Sequence, residues 1–215
     1  MRREPLNGIC AICKAKVSKR GIKKHLQAHL EGSGKSLKAG GRQKPPAKLF
    51  HLLLEGHGIS GDLYWMHLKT SGSARLRDLD SFLRDTWLEC CGHMSAFSDK
   101  EGDLEMDEEL ENVLIPGQKL TYEYDFGSTT ELALTVISEF KGTPKKGRVE
   151  ILARNEAPQT KCSRCENPAT TICVDCICDG AGWLCDKCAK AHECGSEMFL
   201  PVVNSPRTGV CGYEG

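Results

Sequence analysis

Paired cysteines and histidines at the two ends of the chain constrain it more than any other feature. Near the start, Cys10-x2-Cys13 is followed by His25-x3-His29, with eleven residues between the pairs. Two thiolates on a tight turn and two imidazoles one helical turn apart can converge on one tetrahedral ion. His25 and His29 share a face only if their segment is helical. Val17 and Ile22 are placed to supply the small apolar core such a unit needs. Toward the other end come Cys162-x2-Cys165, Cys173-x2-Cys176, Cys178, Cys185-x2-Cys188, His192 and Cys194. Each CxxC knuckle presents two thiolates already close together, so this run reads as zinc ligation and not as a disulfide framework. Its eight or nine ligands suffice for two ions, and two to three zinc ions are expected in all.

The formal net charge is zero, but the charges are segregated. Residues 1–48 hold thirteen Lys and Arg against two Glu, whereas residues 49–160 hold eleven against twenty Asp and Glu. A basic head on an acidic body suggests an anionic partner for the head, most often nucleic acid. No stretch of 18 or more apolar residues occurs, and no apolar run follows Met1-Arg2-Arg3-Glu4-Pro5. Neither a membrane span nor a signal peptide is therefore expected, and the expected location is cytoplasmic.

Four segments follow from composition and periodicity: a zinc-binding unit over 1–30, a flexible basic linker over 31–48, a central domain over 49–156, and a cysteine-rich module with a tail over 157–215. The linker is rich in Gly, Lys and Pro. Its Gly34-Lys35-Ser36 is only a fragment of a phosphate-binding loop, because the first glycine of that loop would fall on His29. In the central domain, Leu63–Leu68 reads as a buried strand. Leu76, Leu79, Phe82, Leu83, Trp87 and Leu88 recur at helical spacing, with Gly92 as a stop beyond them. Leu120 to Phe126 and Leu132 to Val136 alternate as a hairpin around Gly127-Ser128, and Arg148–Ala153 is a further strand. The expected class is α+β, with one main amphipathic helix and a β-hairpin sheet between two small zinc modules.

Residues 8–30 resemble the Cys2His2 zinc-finger family, one residue short in the Cys–His gap. Aligned from the first histidine, the family's base-reading positions fall on Ser18, Gly21 and Lys24, and Gly21 has no side chain to read a base edge. Lys19, Arg20, Lys23 and Lys24 on the finger, with Lys35, Lys38, Arg42 and Lys44 on the linker, are placed for phosphates instead. The C-terminal run resembles cross-braced B-box or RING-like modules. That resemblance implies one site of Cys162, Cys165, Cys185 and Cys188 and another of Cys173, Cys176, His192 and Cys194. Cys178 remains an alternative to Cys176, and one ion with spare thiols remains an alternative to two. Tyr64–Leu68, Leu76–Leu88, Glu89–Phe97 and Tyr122–Gly127 resemble the Ri-plasmid ORF-three-like family over residues 49–156. Pro201 to Tyr213 resembles a C-terminal extension of some of its members. This resemblance implies a compact α/β roll and no established activity.

Three features invite a catalytic reading and lack its context. Asp125-Phe126-Gly127 has no glycine-rich or catalytic loop with it, so a hairpin turn is expected. Cys90, Cys91 and His93 follow a helix whose apolar face packs inward, so they are expected in packing and not as a nucleophile and base. The acidic run Glu101 to Glu111 lacks calcium-loop spacing and is expected as a solvated loop. Arg207 is expected to dock the tail on the core, with anion binding as the alternative, and Cys211 either completes a metal site or sits free. The expected function is a non-enzymatic adaptor that uses its basic head on DNA, RNA or a ribonucleoprotein. A protein-interaction module with structural zinc is the alternative, and an enzyme with an unrecognised site in the central domain is a third reading. No membrane partner and no small-molecule cofactor apart from zinc are expected.

Overall fold

The computed structural model of the chain describes residues 6–33, 46–143 and 149–215, so Lys35, Lys38, Arg42 and Lys44 of the basic linker lie outside the described residues. Two short strands, β1 (Gly8–Cys10) and β2 (Lys16–Val17), lead into helix α1 (Lys19–Ser33). The central segment contributes β3 (Ala47–His57), β4 (Leu63–Ser71), α2 (Leu76–Leu83), β5 (Ser95–Asp99), β6 (Gly102–Asp103), α3 (Leu110–Val113), β7 (Lys119–Tyr124), β8 (Thr130–Gly142) and β9 (Val149–Asn155). Nine strands form one antiparallel sheet in the order β2-β1-β9-β4-β3-β8-β7-β5-β6. The fold is mainly β, which corrects the α+β class expected from the sequence. A second sheet, β11 (Trp183–Leu184), β10 (Thr171–Cys173) and β12 (Phe199–Pro201), belongs to the cysteine-rich module, with the short helix α4 (Asp186–Lys190) beside it. Among the described residues no helix is long and apolar enough to cross a membrane.

The large sheet is covered on both faces, which explains why β4 is buried almost throughout and apolar in its first half. Alternate side chains point to opposite faces of a strand. Tyr64, Met66 and Leu68 join Phe50, Leu52 and Leu54 of β3 in a core closed by Leu76, Leu79 and Leu83 of α2. Trp65 faces the other way, into a smaller core with Cys10, Ile22, Leu26, Leu152 and Ala153. The helix expected over Leu76–Leu88 divides into α2 and a π-helical turn over Arg84–Leu88, which buries Trp87 and Leu88. The acidic run is tethered rather than free. Leu104, Met106 and Leu110 pack on the core, and Asp107 receives Arg77 at 2.6 Å.

The N-terminal unit is therefore part of the sheet and not a separate bead. β1 pairs with β9 through Gly8↔Asn155 and Cys10↔Ala153. Gly8 is required there, since a Cβ would lie 2.2 Å from the Trp65 ring. Below α1, His51 Nε2 and His67 Nδ1 are 2.8 Å apart and buried. Burial, then Lys23, lowers His51 to about 4; burial, then His51, Lys19 and Lys23, lowers His67 to about 3. An unfolded chain takes up these protons near its ordinary pKa of about 6.5, while the folded chain refuses them until far lower pH. The pair's contribution is thus complete above the unfolded value and is lost as pH falls toward the folded ones. Urea midpoints between pH 6.5 and 4.5 should fall more steeply for the native chain than for a His51→Leu/His67→Leu variant. The difference should approach about 1.4 kcal/mol per pH unit for each histidine. Acid release of metal is common to both proteins, so equal slopes would refute the assignment.

Candidate metal centres

Four groups of Cys and His side chains each bring their ligand atoms within 4.8 Å of one another and could hold a metal ion. Soft sulfur and imidazole donors in sets of four are compatible with zinc. In the first group, β1 delivers Cys10 and the following turn delivers Cys13. Lys14 takes a left-handed φ of 63°, which returns the chain toward β2. The expected helix is present, so His25 and His29 lie one turn apart on α1 with their Nε2 atoms 3.3 Å from each other. Cys13 Sγ is 3.2 Å from His25 Nε2. The unit's core, Ile22 and Leu26, is shared with Trp65 of the sheet.

The cysteine-rich run forms two interleaved groups. Cys162, Cys165, Cys185 and Cys188 gather first, with Cys165 Sγ 3.6 Å from Cys185 and 3.8 Å from Cys188. Cys173, Cys176, His192 and Cys194 gather second, with Cys176 Sγ 3.4 Å from His192 Nε2 and 3.7 Å from Cys194. These are the two sets implied by the cross-braced resemblance. Cys178 is exposed and belongs to no group among the described residues, so the geometry selects Cys176 over it.

Cys90, Cys91, His93 and Cys211 form the fourth group, so Cys211 does join a ligand set, with partners that the sequence did not identify. Cys90 is half-buried and packs against the main core as expected, whereas Cys91 and Cys211 are exposed and are not inward packing residues. The available signal was a Cys-Cys-x-His cluster together with an unassigned tail cysteine, but the two lie too far apart in sequence for spacing to join them. The tail itself docks as expected. Arg207 is fully buried and donates to Asp125 Oδ2 at 2.6 Å, to the Ser128 carbonyl at 3.0 Å and to Thr130 Oγ1 at 3.1 Å. That ion pair, with the Gly127 and Ser128 N–H groups, holds the Asp125 carboxyl down at about 2. Asp125-Phe126-Gly127 is a hairpin turn, in which Asp125 Oδ1 accepts from the N–H of Gly127 at 3.0 Å.

The basic candidates divide. Lys19 pairs with Glu55 of β3. Arg20, Lys23 and Lys24 are exposed on α1. Ser18 and Lys24, two of the three base-reading positions, are also exposed, whereas Gly21 is half-buried.

The chain matches no family model and no curated protein. Among solved structures two chains match. One is a protein of unknown function from Methanosarcina mazei Go1, 16% identical, aligned over 51% of this chain and 70% of its own, with a TM-score of 0.42.

Proposed function

We propose that the chain is a zinc-stapled, non-catalytic adaptor that grips a nucleic acid or ribonucleoprotein by its phosphates. The grip comes from the solvent side of α1 and the basic linker. The observation that carries this reading is the exposure of Arg20, Lys23 and Lys24 side by side on α1, with no ion pair to any described residue, while neighbouring Lys19 is taken up by Glu55. Three uncompensated cations on one helical face beside a basic linker suit a polyanion. Gly21 at a base-reading position favours backbone contact over sequence reading. Zinc is the ion this reading assigns to the finger and to the two interleaved groups. Four protein donors per ion close the coordination sphere, so the metal supplies folding energy and no site for activating water. The likeness to the Ri-plasmid ORF-three-like family adds a fold expectation and no activity.

Binding of labelled DNA and RNA at several salt concentrations tests the proposal. Each phosphate contact steepens the salt dependence by about 0.9 on duplex and about 0.7 on single strands. An Arg20→Ala/Lys23→Ala/Lys24→Ala variant should therefore lose between about two and three units of slope. Absence of binding above background by the native chain would overturn the reading. The second reading, a protein partner, is favoured by Ile9 and Ile12, exposed at 38% and 50% on and beside the finger's knuckle. It predicts capture that survives high salt.

A further inference from the structure

We infer that Cys90, Cys91, His93 and Cys211 form a fourth site for a zinc-like divalent ion, and that this ion clips the C-terminal tail onto the central sheet. The donor spacing carries the inference first. Bond lengths of about 2.3 Å to sulfur and 2.0 Å to nitrogen in a tetrahedron put sulfurs about 3.8 Å apart and sulfur about 3.5 Å from nitrogen. Cys91 Sγ is 3.6 Å from Cys90 Sγ and 3.6 Å from Cys211 Sγ, and His93 Nε2 is 3.5 Å from Cys211 and 2.9 Å from Cys91. Only the last distance departs by more than a few tenths of an ångström.

The surroundings are those that ligands need and that free surface thiols do not. A metal-bound histidine is held by a partner on its other ring nitrogen, commonly a carboxylate. His93 presents Nε2 to the sulfurs while its Nδ1 faces the Asp125 carboxylate at 3.5 Å. Arg207, which anchors Asp125, also donates to Cys90 Sγ at 3.4 Å, a contact that suits a thiolate. Tyr124 closes the remaining side, with its hydroxyl 3.9 Å from Cys90 Sγ and its ring edge-on to His93. The backbone is turned to fit. Gly92 has a φ of 79°, and Asp125 and Cys211, two of the three non-glycine residues with positive φ among the described residues, have φ of 65° and 53°. Such conformations persist where the surroundings over-determine them.

The bridge would join residues 120 positions apart, from the turn after the π-helical segment to the end of the tail. It adds to the three expected groups and is independent of whether α1 binds nucleic acid. Its donors come from two separately anchored segments, so the ion would act as a removable cross-link that holds the tail only while loaded.

Metal content of the full-length chain, purified under reducing conditions and saturated with zinc, tests this directly. Four zinc ions per chain are expected for the native protein and for a Cys178→Ser control, against three for Cys211→Ser. The Cys211→Ser tail should also lose amide-exchange protection about tenfold or more across residues 203–213. Cobalt loading gives a second readout that does not depend on the tail. Cys211→Ser should lower the thiolate-to-cobalt absorption by one site's share, and His93→Cys, which keeps four donors, should retain the fourth site. Three ions in both the native and Cys211→Ser proteins would overturn the proposal, as would a Cys91–Cys211 disulfide surviving the reducing preparation. Failure of α1 to bind DNA or RNA would leave these counts unchanged.

Discussion

Stripping the metal from the native chain is expected to unfold residues 162–194 while the central strands β3, β4 and β8 stay folded. The cysteine-rich module has almost no core of its own. Ile172, Ile177 and Trp183 are its buried apolar cluster, with Ala169 and Val202 against it. These three and the fully buried Leu184 contribute about 2–3 kcal/mol each,, whereas ordering more than thirty residues costs about 1 kcal/mol apiece or more. Metal binding must close that gap, and structural zinc supplies roughly 10–16 kcal/mol in small zinc modules near neutral pH. The central sheet keeps a continuous core from Phe50 to Val136 that contains none of these ligands. Amide exchange before and after chelation should show protection lost by several orders of magnitude around Ile172 and Trp183, and changed by less than about tenfold in β3, β4 and β8. Cys185→Ser should reproduce the regional pattern by removing one ligand. Full protection of Ile172 and Trp183 after metal is shown to be gone would refute the account.

The contrast between module and sheet explains what the sequence disclosed. The ligands were legible because CxxC and HxxxH are local patterns, whereas the division of the cysteine-rich run into two sets came from the cross-braced resemblance. The hairpin β7–β8 was legible for the same reason, since Leu120↔Leu134 and Tyr122↔Leu132 face each other across one short turn. The amphipathic stripe of α2 was legible until Arg84, where the π-helical turn keeps Trp87 and Leu88 inward at a different pitch. What escaped was long-range pairing. β1 joins β9 across most of the chain length, and this makes the finger an edge of the main sheet rather than a bead on a linker. Short edge strands carry too few residues to show alternation. The mainly-β character was hidden for a related reason. β3 (AKLFHLLLEGH) is covered on both faces, so it lacks the period of two that marks a half-buried strand,.

The same distance effect hid the fourth group. Cys90, Cys91 and His93 follow an amphipathic helix, and packing is the simplest destiny for residues in that position. Only the docked tail supplies Cys211, and only the folded hairpin turns Asp125 toward His93. Arg207 was legible as a docking residue because a charged side chain in an otherwise neutral tail segment, Pro206-Arg207-Thr208-Gly209, needs a partner. Its partner was not legible, because Asp125 had a sufficient role in its own turn.

Arg207→Met is expected to cost on the order of 3 kcal/mol and to release the tail. The guanidinium is completely buried, so the substitution removes a charge that the fold has already desolvated and matched. It leaves the Ser128 carbonyl and the Thr130 hydroxyl without their donor, and Asp125 without its cation. It also ends the stacking of Arg207 over the Tyr124 ring, 4.8 Å from the centroid. Apart from the proposed ion at Cys211, Ser205 and Asn204 then hold the tail through the Trp87 carbonyl at 2.5 Å and the Asn155 amide at 2.9 Å. Those neutral contacts contribute only about 1 kcal/mol each. The urea midpoint should fall, and protease cleavage between Asn204 and Tyr213 should accelerate in the same proportion. A double-mutant cycle with Asp125→Asn separates the ion pair from lost packing. Asparagine tolerates the left-handed φ of 65° at that position, and keeps the acceptor for the Gly127 N–H. If the pair is the anchor, Arg207→Met/Asp125→Asn will be clearly less destabilised than the sum of the single variants. Strict additivity would mean that Arg207 acts through volume alone, and that the tail is held by its packing on Tyr124 rather than by the matched charge.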